Sequence, residues 1–241
     1  MKGFVTDGPQ TWDAADREAF LLVVAERAQA ERTERRAALD VMAQRLDRVA
    51  LYHHQMTDRS YWYRQGLSDA TIDAYQLGWC SRCPTYQQSP TWTIPVMFRK
   101  ALLNIRHRLI KPPTPNDKYR PEMGGIGNAI FNADLFDQAE KNPTVLVVEG
   151  EIKSMALTQR GFPAIGVPGA SSFKESWGHY FGVFSEVLVV FDPGASAQAR
   201  RAASMIGKAA KCATLPVKPD DFFVLRGGTA REFSAFLAKA T

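Results

Sequence analysis

The stretch Thr144-Val-Leu-Val-Val-Glu-Gly-Glu-Ile-Lys-Ser-Met-Ala-Leu-Thr-Gln-Arg-Gly-Phe-Pro-Ala-Ile-Gly-Val167 carries two hydrophobic periods in succession. Thr144-Val-Leu-Val-Val148 is a nearly continuous apolar run, as in a strand buried on both faces, and it ends on Glu149-Gly150. Residues 151–160 read as a helix with Gly161 as its terminating residue, and Ala164-Ile-Gly-Val167 returns to the strand pattern. Strand, helix and strand joined this closely predict a parallel pair with a crossover helix. Further along, Glu186-Val-Leu-Val-Val-Phe191 and Cys212-Ala-Thr-Leu215 are two more apolar runs, alternating with helical stretches at residues 196–211 and 230–239. The fold class is therefore α/β, a parallel sheet flanked by helices over residues 142–241.

In an open parallel sheet a ligand binds outside the carboxyl ends of the strands. Two of these runs end on an acid, Glu149 and Asp192, and the Pro-Val-Lys-Pro loop after the last run leads to Asp220-Asp221. Carboxylates gathered at one edge repel unless a cation lies among them, and oxygen ligands without His or thiolate select Mg²⁺ or Mn²⁺. An acid after a buried strand also serves as a cap for the next helix, the role that Glu151 suggests.

Residues 52–141 are aromatic, proline-bearing and irregular, with β-like runs at Thr93-Ile-Pro-Val-Met-Phe98 and Ala101-Leu-Leu-Asn-Ile105. One helix is well marked there, capped by Ser68, stapled by Leu67 and Ile72 and expected to stop at Gly78. Seven basic residues (Arg99, Lys100, Arg106, Arg108, Lys111, Lys118 and Arg120) stand against one acid, Asp117, between positions 99 and 120. Interleaved with Tyr119 and His107, they suit the phosphates and stacked bases of a single strand, although charge runs also serve as plain solvated faces. Arg59 and Arg64 extend the strip, while the aromatics Tyr61, Trp62 and Tyr63 beside them are assigned to core.

Upstream, residues 1–51 form an arm. Its Ala, Arg, Glu and Leu content, with eight acids against seven arginines and no Gly or Pro over residues 13–50, predicts a long solvated helix. Phe20 with Val24 makes one apolar stripe and Leu39, Met42, Leu46 and Val49 another, so a break or exposed middle is expected at residues 28–36.

Composition sets outer bounds. The chain of 241 residues is 45% hydrophobic and 23% charged, ordinary globular usage, with a formal net charge of +5. No apolar run approaches the roughly 18 residues of a membrane span, and Met1-Lys-Gly-Phe-Val-Thr-Asp7 lacks a signal-peptide core. Three cysteines, an odd number, suit a reducing compartment, so a cytoplasmic location is expected. Cys80-Ser-Arg-Cys83 is half a zinc site, with His53-His54 upstream; the competing reading is two small residues in a turn, and zinc is not the expected cofactor. Cys212 is assigned to core. Gly124-Gly-Ile-Gly127 reads as a turn rather than a dinucleotide loop, and Gly207-Lys208 lacks the upstream glycine of a phosphate-binding loop.

Taken in order, Val147-Val-Glu-Gly-Glu151, Gly161-Phe-Pro-Ala-Ile-Gly-Val-Pro-Gly169, Phe191-Asp-Pro-Gly-Ala195 and Leu215-Pro-Val-Lys-Pro-Asp-Asp-Phe222 resemble a TOPRIM domain. Upstream, Tyr63-Arg-Gln-Gly-Leu-Ser68, Ile94-Pro-Val96, Asn104-Ile-Arg-His-Arg108, Asp117-Lys-Tyr-Arg-Pro121 and Ile130-Phe-Asn132 are similar in order to the basic half of the RNA polymerase domain of bacterial-type DNA primases, especially those of phages and mobile elements. The resemblance covers residues 52–241 and includes neither the zinc ribbon nor the helicase of larger primases. It implies a metal-dependent nucleotidyltransferase that makes short RNA primers on single-stranded DNA from ribonucleoside triphosphates during replication, with Glu149, Asp192, Asp220 and Asp221 as catalytic metal ligands. Arg108 and Lys118 fall where the family contacts template or nucleotide. A helicase or other replication protein is the partner it implies. Two departures stand out: Gly194 occupies the second position of the family's Asp-x-Asp motif, and Lys153, grouped here with the phosphate-binding residues, stands about where an aspartate is usual. These departures keep two other readings open, a catalytically weakened DNA-binding accessory protein and a metal-dependent nuclease on the same scaffold.

Overall fold

A computed structural model describes residues 14–114 and 117–241, without the side chains of 14–17, 19 and 20; expectations about the amino terminus and the Phe20 side chain lie outside it. The elements run α1 (Ala14–Ala43), α2 (Leu46–Gln55), α3 (Ser60–Arg64), α4 (Asp69–Ala74), β1 (Gly78–Cys80), β2 (Thr91–Phe98), β3 (Ala101–Leu109), β4 (Tyr119–Pro121), β5 (Thr144–Glu149), α5 (Glu151–Thr158) and β6 (Ala164–Val167). There follow α6 (Glu175–Gly178), β7 (Glu186–Val189), α7 (Ser196–Ile206), β8 (Ala210–Cys212), α8 (Pro219–Val224) and α9 (Ala230–Leu237). Two four-stranded sheets result, an antiparallel one in the order β1-β2-β3-β4 and a wholly parallel one in the order β6-β5-β7-β8.

The parallel sheet is the one its apolar runs predict. Val145, Val147, Val187 and Val189 point to one face, against Trp177, Phe181, Phe184, Ala199 and Ala202. Leu146, Val148, Leu188 and Val190 point to the other, against Leu157, Leu215, Phe222 and Phe233. A period of two that is apolar on both phases requires helices on both faces, as found here. The last helix begins with a capping box in which Thr229 and Glu232 exchange hydrogen bonds.

Several boundaries differ from expectation for local reasons. Helix α7 stops at Ile206 because Gly207 takes φ 97°, and the last strand starts at Ala210, two residues before the predicted run. Of the two outcomes expected at residues 28–36, the exposed middle is found: α1 runs unbroken there, since its Ala, Glu and Arg content sustains a helix without burial, and the break falls at Gln44-Arg45, where the Arg45 amide bonds Met42 O at 2.9 Å. Ser68 caps α4 as predicted, accepting from the Thr71 amide, but Gln76, at φ 48°, ends that turn. Gly78 instead opens β1, where a Cβ would stand 2.6 Å from the Tyr52 carbonyl carbon, so the missing side chain lets α2 lie on the sheet. Asp220 and Asp221, reached through the Pro-Val-Lys-Pro segment, lie in the first turn of α8. Trp62 is fully buried, whereas Tyr63 is half-exposed, so only part of the aromatic cluster is core.

Alternation along β3 divides its residues between two environments. Ile105, His107 and Leu109 are buried, while Arg106 and Arg108 are only partly covered. Behind the sheet His107 is fully buried, its Nε2 2.7 Å from Glu122 and its Nδ1 2.8 Å from the Thr91 hydroxyl. Arg48 of α2 donates to the same carboxylate, and the Tyr52 hydroxyl reaches it at 3.3 Å. Cys80 and Cys83 are buried beside this network, while His53 turns to Leu77 O at 2.7 Å; no group of three metal-binding side chains forms among the described residues.

Burial works against the charge on His107, yet the Cys80 and Cys83 thiols and the Glu122 carboxylate outweigh it and push its pKa up to about 11. Burial likewise opposes the charge on Glu122, and His107 and Arg48 overcome it to hold this carboxyl below its usual range. The Glu122 contribution to stability is complete above pH 4.5 and is lost as pH falls through its lowered folded value; that of His107 is complete below pH 6.5 and is gone above about pH 11. Glu122→Gln leaves a buried cation unpaired and is expected to cost about 3 kcal/mol. Thermal unfolding followed against pH should show the gap between wild type and this variant widest near pH 6, narrowing below pH 4.5 and closed only once pH has fallen through the lowered folded value, where a protonated Glu122 resembles Gln.

Candidate functional site

One cleft of about 370 Å³ lies where the two sheets meet. The antiparallel side supplies Arg106, Arg108, Lys118 and Tyr119; the parallel side supplies Glu149, Gly150, Glu151, Lys153, Gly169, Asp192, Lys218 and Asp220. Arg106 and Arg108 share a face of β3, and Tyr119 on β4 pairs directly across from Arg108. Both guanidinium groups lie over the Tyr119 ring, at 4.9 and 5.0 Å from its centre. Arg108 also donates to the Tyr61 hydroxyl at 3.2 Å and has no carboxylate partner among the described residues. Arg106 instead meets the buried Glu151 at 3.0 Å, an ion pair that joins β3 to the start of α5.

The rest of the basic strip divides in the same way. Arg99 is tied to Asp137 by two hydrogen bonds of 2.7 Å and its amide to Asp134, and Arg120 is paired with Asp117. Lys100 and Lys111 are exposed and lie outside the cleft, as does Arg64, which donates to the Ser60 hydroxyl. Arg59 is spent on Asp69 and Asp73. Sequence alone counts these charges equally; the fold leaves Arg108 and Lys118 lining the cleft with no ion-pair partner among the described residues.

On the acidic side Glu149 ends the inner strand β5. Its Oε1 accepts from the Asp192 amide at 2.9 Å and its Oε2 from the Ala170 amide at 3.2 Å, so one carboxylate ties together the chain leaving β6 and the chain leaving β7. Lys153 Nζ stands 3.1 Å from Asp192 Oδ1 without hydrogen-bond alignment; its hydrogen bond goes to Glu149 O at 3.4 Å. Asp192 Oδ1 and Asp220 Oδ1 are both buried with no hydrogen-bond donor. Burial pushes the Asp220 carboxyl up, against the pull of Lys153, and Asp221 and Asp192 add to the rise. Asp221 does not line the cleft, and Gly194, at φ 93°, lines a neighbouring hollow and brings no carboxylate.

The donor set fits one divalent cation. Two buried carboxylate oxygens in one cleft with no donor are what a single Mg²⁺ uses when substrate phosphates complete its shell. No group of three metal-binding side chains forms among the described residues, each Glu149 oxygen accepts one backbone hydrogen bond, and an ammonium stands beside Asp192.

Lys218 is the cleft residue that sequence reasoning missed. Its only signal was its place in the Pro-Val-Lys-Pro loop leading to Asp220. Burial holds the Lys118 ammonium below its usual range, and Arg108, Lys218 and Lys153 push it further, against the pull of Asp192.

No protein-family model matches the sequence, and neither does any curated protein. Solved structures do match. The RNA polymerase domain of Mycobacterium tuberculosis primase DnaG superposes with a TM-score of 0.67 at 15% identity, covering 84% of each chain. The zinc-binding and RNA polymerase domains of Aquifex aeolicus primase give 0.65 at 14% identity over 88% of this chain, which spans 62% of that one. A DnaG primase catalytic domain bound to single-stranded DNA gives 0.60 at 18% identity, covering 88% of this chain and 83% of that one. With its parallel sheet flanked by helices and the smaller antiparallel sheet before it, the chain has the fold of the RNA polymerase domain of bacterial primases.

Proposed function

We propose that this chain is a primase-type nucleotidyltransferase that joins ribonucleotides on a single-stranded DNA template during replication, in the cytoplasm. The observation that supports it is the meeting in one cleft of unpaired cations from the antiparallel sheet with the unsatisfied carboxylates of Asp192 and Asp220 from the parallel sheet. A primase catalytic domain of the same fold has been seen with single-stranded DNA. In this reading residues 52–141 hold the template, residues 142–241 hold the reacting phosphates, and the arm at residues 1–51 meets a helicase or other replication protein through its exposed Leu21, Leu22, Val23 and Val24.

Each side chain has a definable task. Arg108, locked by Tyr61 and Tyr119, and Lys118 beside it draw in phosphates and fix their position, so that the attacking 3′-hydroxyl and the α-phosphate meet in a set geometry. Asp192 and Asp220 would hold one Mg²⁺ or Mn²⁺, which when bound lowers the pKa of the attacking hydroxyl and neutralises charge on the leaving pyrophosphate. Glu149 is a positioning residue: by accepting the Asp192 amide it fixes where that carboxylate starts. Lys153 pairs with Asp192 across 3.1 Å at the edge of the cleft. A second reading, a replication protein that binds DNA without chemistry, is favoured by Gly194 and Lys153, which remove one carboxylate and neutralise another.

Incubation with single-stranded DNA, labelled ribonucleotides and Mg²⁺ or Mn²⁺ separates the two. Short template-dependent RNA is expected from the wild type, none from Asp192→Asn or Asp220→Asn, and about 10–100-fold less from Glu149→Gln. No product from a wild type that still binds DNA would select the second reading. Template contact is tested by fluorescence anisotropy with a labelled oligonucleotide at several salt concentrations. Arg108→Ala and Lys118→Ala should each weaken binding and reduce the slope of log K against log salt by about 0.7. Arg99→Ala and Arg120→Ala, whose guanidinium groups are already taken by aspartates, should leave that slope nearly unchanged.

A further inference from the structure

Behind the antiparallel sheet, on the face turned away from Arg106 and Arg108, two thiols lie in a charged surrounding that the cleft chemistry does not use. Cys80 closes β1 opposite Thr91, and the Cys83 amide donates to Ser89 O at 2.9 Å, so both belong to one short hairpin. Between Ser81 and Pro90 Cys83 alone is buried. Its cover is a surface loop in which Gln87 and Gln88 take φ 48° and 55°, left-handed conformations that residues with side chains resist. Thr85 ties the loop down by donating to Pro121 O at 2.9 Å, and Tyr86 does so through Lys111 O at 3.5 Å and the Arg120 guanidinium over its ring. A strained surface loop on few tethers opens at small cost relative to the whole fold, and opening it uncovers Cys83. Thiols buried among apolar groups are inert, but this surrounding is polar. Both thiols stand close enough to the His107 ring to stabilise its charge, and Cys83 Sγ lies 3.6 Å from Thr85 Oγ1. The same ring meets Glu122 at 2.7 Å, the Tyr52 hydroxyl bears on Cys80, and Arg120 is near enough to feel the Cys83 charge. Burial works against the Cys83 thiolate, yet His107 and Thr85 outweigh it and pull its pKa down to about 7.

We propose that Cys80 and Cys83 are a redox-active pair that closes to a disulfide when the protein meets a hydroperoxide, with Cys83 as the attacking sulfur and Cys80 as the resolving one. The Cys83 thiolate attacks one peroxide oxygen, the O–O bond breaks and hydroxide leaves, which makes a sulfenic acid. The Cys80 sulfur then attacks that of Cys83, the S–O bond breaks, and the Cys80 proton leaves with the hydroxyl group as water. In sum two thiols and one hydrogen peroxide give one disulfide and two waters, the sulfurs losing the two electrons that the peroxide oxygens gain. His107 is a positioning residue in this scheme, holding Cys83 as thiolate without touching the oxidant. A bond of this kind is transient in a reducing compartment, where its use is to sense oxidants. The inference is independent of the reaction proposed for the cleft.

The full chain, reduced and then freed of reductant, is treated with one equivalent of hydrogen peroxide and followed by intact mass, peptide mapping and thiol titration in guanidinium. Loss of two of its three thiols is expected, with a mass lower by two hydrogens, a linked peptide joining Cys80 to Cys83, and full reversal by dithiothreitol. Cys212, whose thiol burial pushes up, should stay free and serves as the internal control. Cys80→Ser should stop at a sulfenic acid on Cys83 that a dimedone probe labels, whereas Cys83→Ser should leave Cys80 unlabelled; thermal unfolding establishes that both variants are folded, and if either is not, the wild-type mass and peptide map decide alone. In the wild type the rate of thiol loss should rise through about pH 7, below the usual range of a thiol, as a thiolate held by His107 requires. No reaction, reaction confined to Cys212, a bridge that includes Cys212, or over-oxidation of Cys83 with Cys80 left free would each overturn the proposal. A rate that rises only where ordinary thiols titrate would overturn it too, by removing the role given to His107.

Discussion

Helix α5 belongs to two cores at once, and the cleft exists because of it. Ile152, Met155 and Ala156 pack with Trp62, Leu67, Ile72, Ile94 and Phe131 of the preceding half, while Leu157 of the same helix packs with Leu146, Val148 and Phe233 of the parallel sheet. A helix apolar on more than one side has no solvent face to turn to, so each sheet is fixed relative to the other through it. Polar contacts strengthen the joint: the Gln159 side chain bonds Gly66 O and the Thr71 hydroxyl, and Arg160 reaches Gly66 O. At its opposite end the helix delivers Glu151 to Arg106 and Lys153 to Asp192. Packing at one end of this helix thereby sets the electrostatics at the other.

Electrostatics in the cleft then follow from which charges are satisfied internally. Arg106 is paired with a buried Glu151, and each oxygen of Glu149, at the end of β5, accepts one backbone amide, so both side chains are already engaged within the protein. Among the described residues Arg108, Lys118 and Lys218 have no ionic partner, while on the other side Asp220 Oδ1 is buried without a donor and Asp192 Oδ1 has only the Lys153 ammonium beside it. An unsatisfied buried oxygen costs free energy unless a ligand arrives, and a set of unpaired cations does the same with opposite sign. Both costs are relieved together by a phosphate-bearing substrate that brings a cation, which is the chemistry proposed for this cleft.

How much of this is legible in sequence differs by element. Strands β5, β6 and β7 were readable because a strand buried on both faces leaves an uninterrupted apolar run. The last strand, β8, was misplaced by two residues, since Ala-Lys-Cys carries little pattern and its pairing with β7 decides its position. For the arm the pattern leaves a break and an exposed middle equally open, and the exposed middle is found because a helix built from strong helix formers does not need burial at every turn. The His107–Glu122–Arg48 network was invisible, because it joins three segments whose side chains carry no local pattern when read singly.

By itself the sequence determined the order of elements, the parallel sheet, the placing of acids at strand ends and the local excess of positive charge. Each of these follows from neighbours along the chain, through period, capping and spacing. Tertiary structure alone decided which of the seven basic residues are free, that Glu149 braces Asp192 rather than standing unpartnered, that Asp220 and not Asp221 enters the cleft, and that Lys153 and Lys218 stand beside them. The physical reason is that a side chain's charge becomes available or is cancelled according to what approaches it within a few ångströms, and here the partners come from positions as far apart as Glu149 and Asp192 or Arg106 and Glu151.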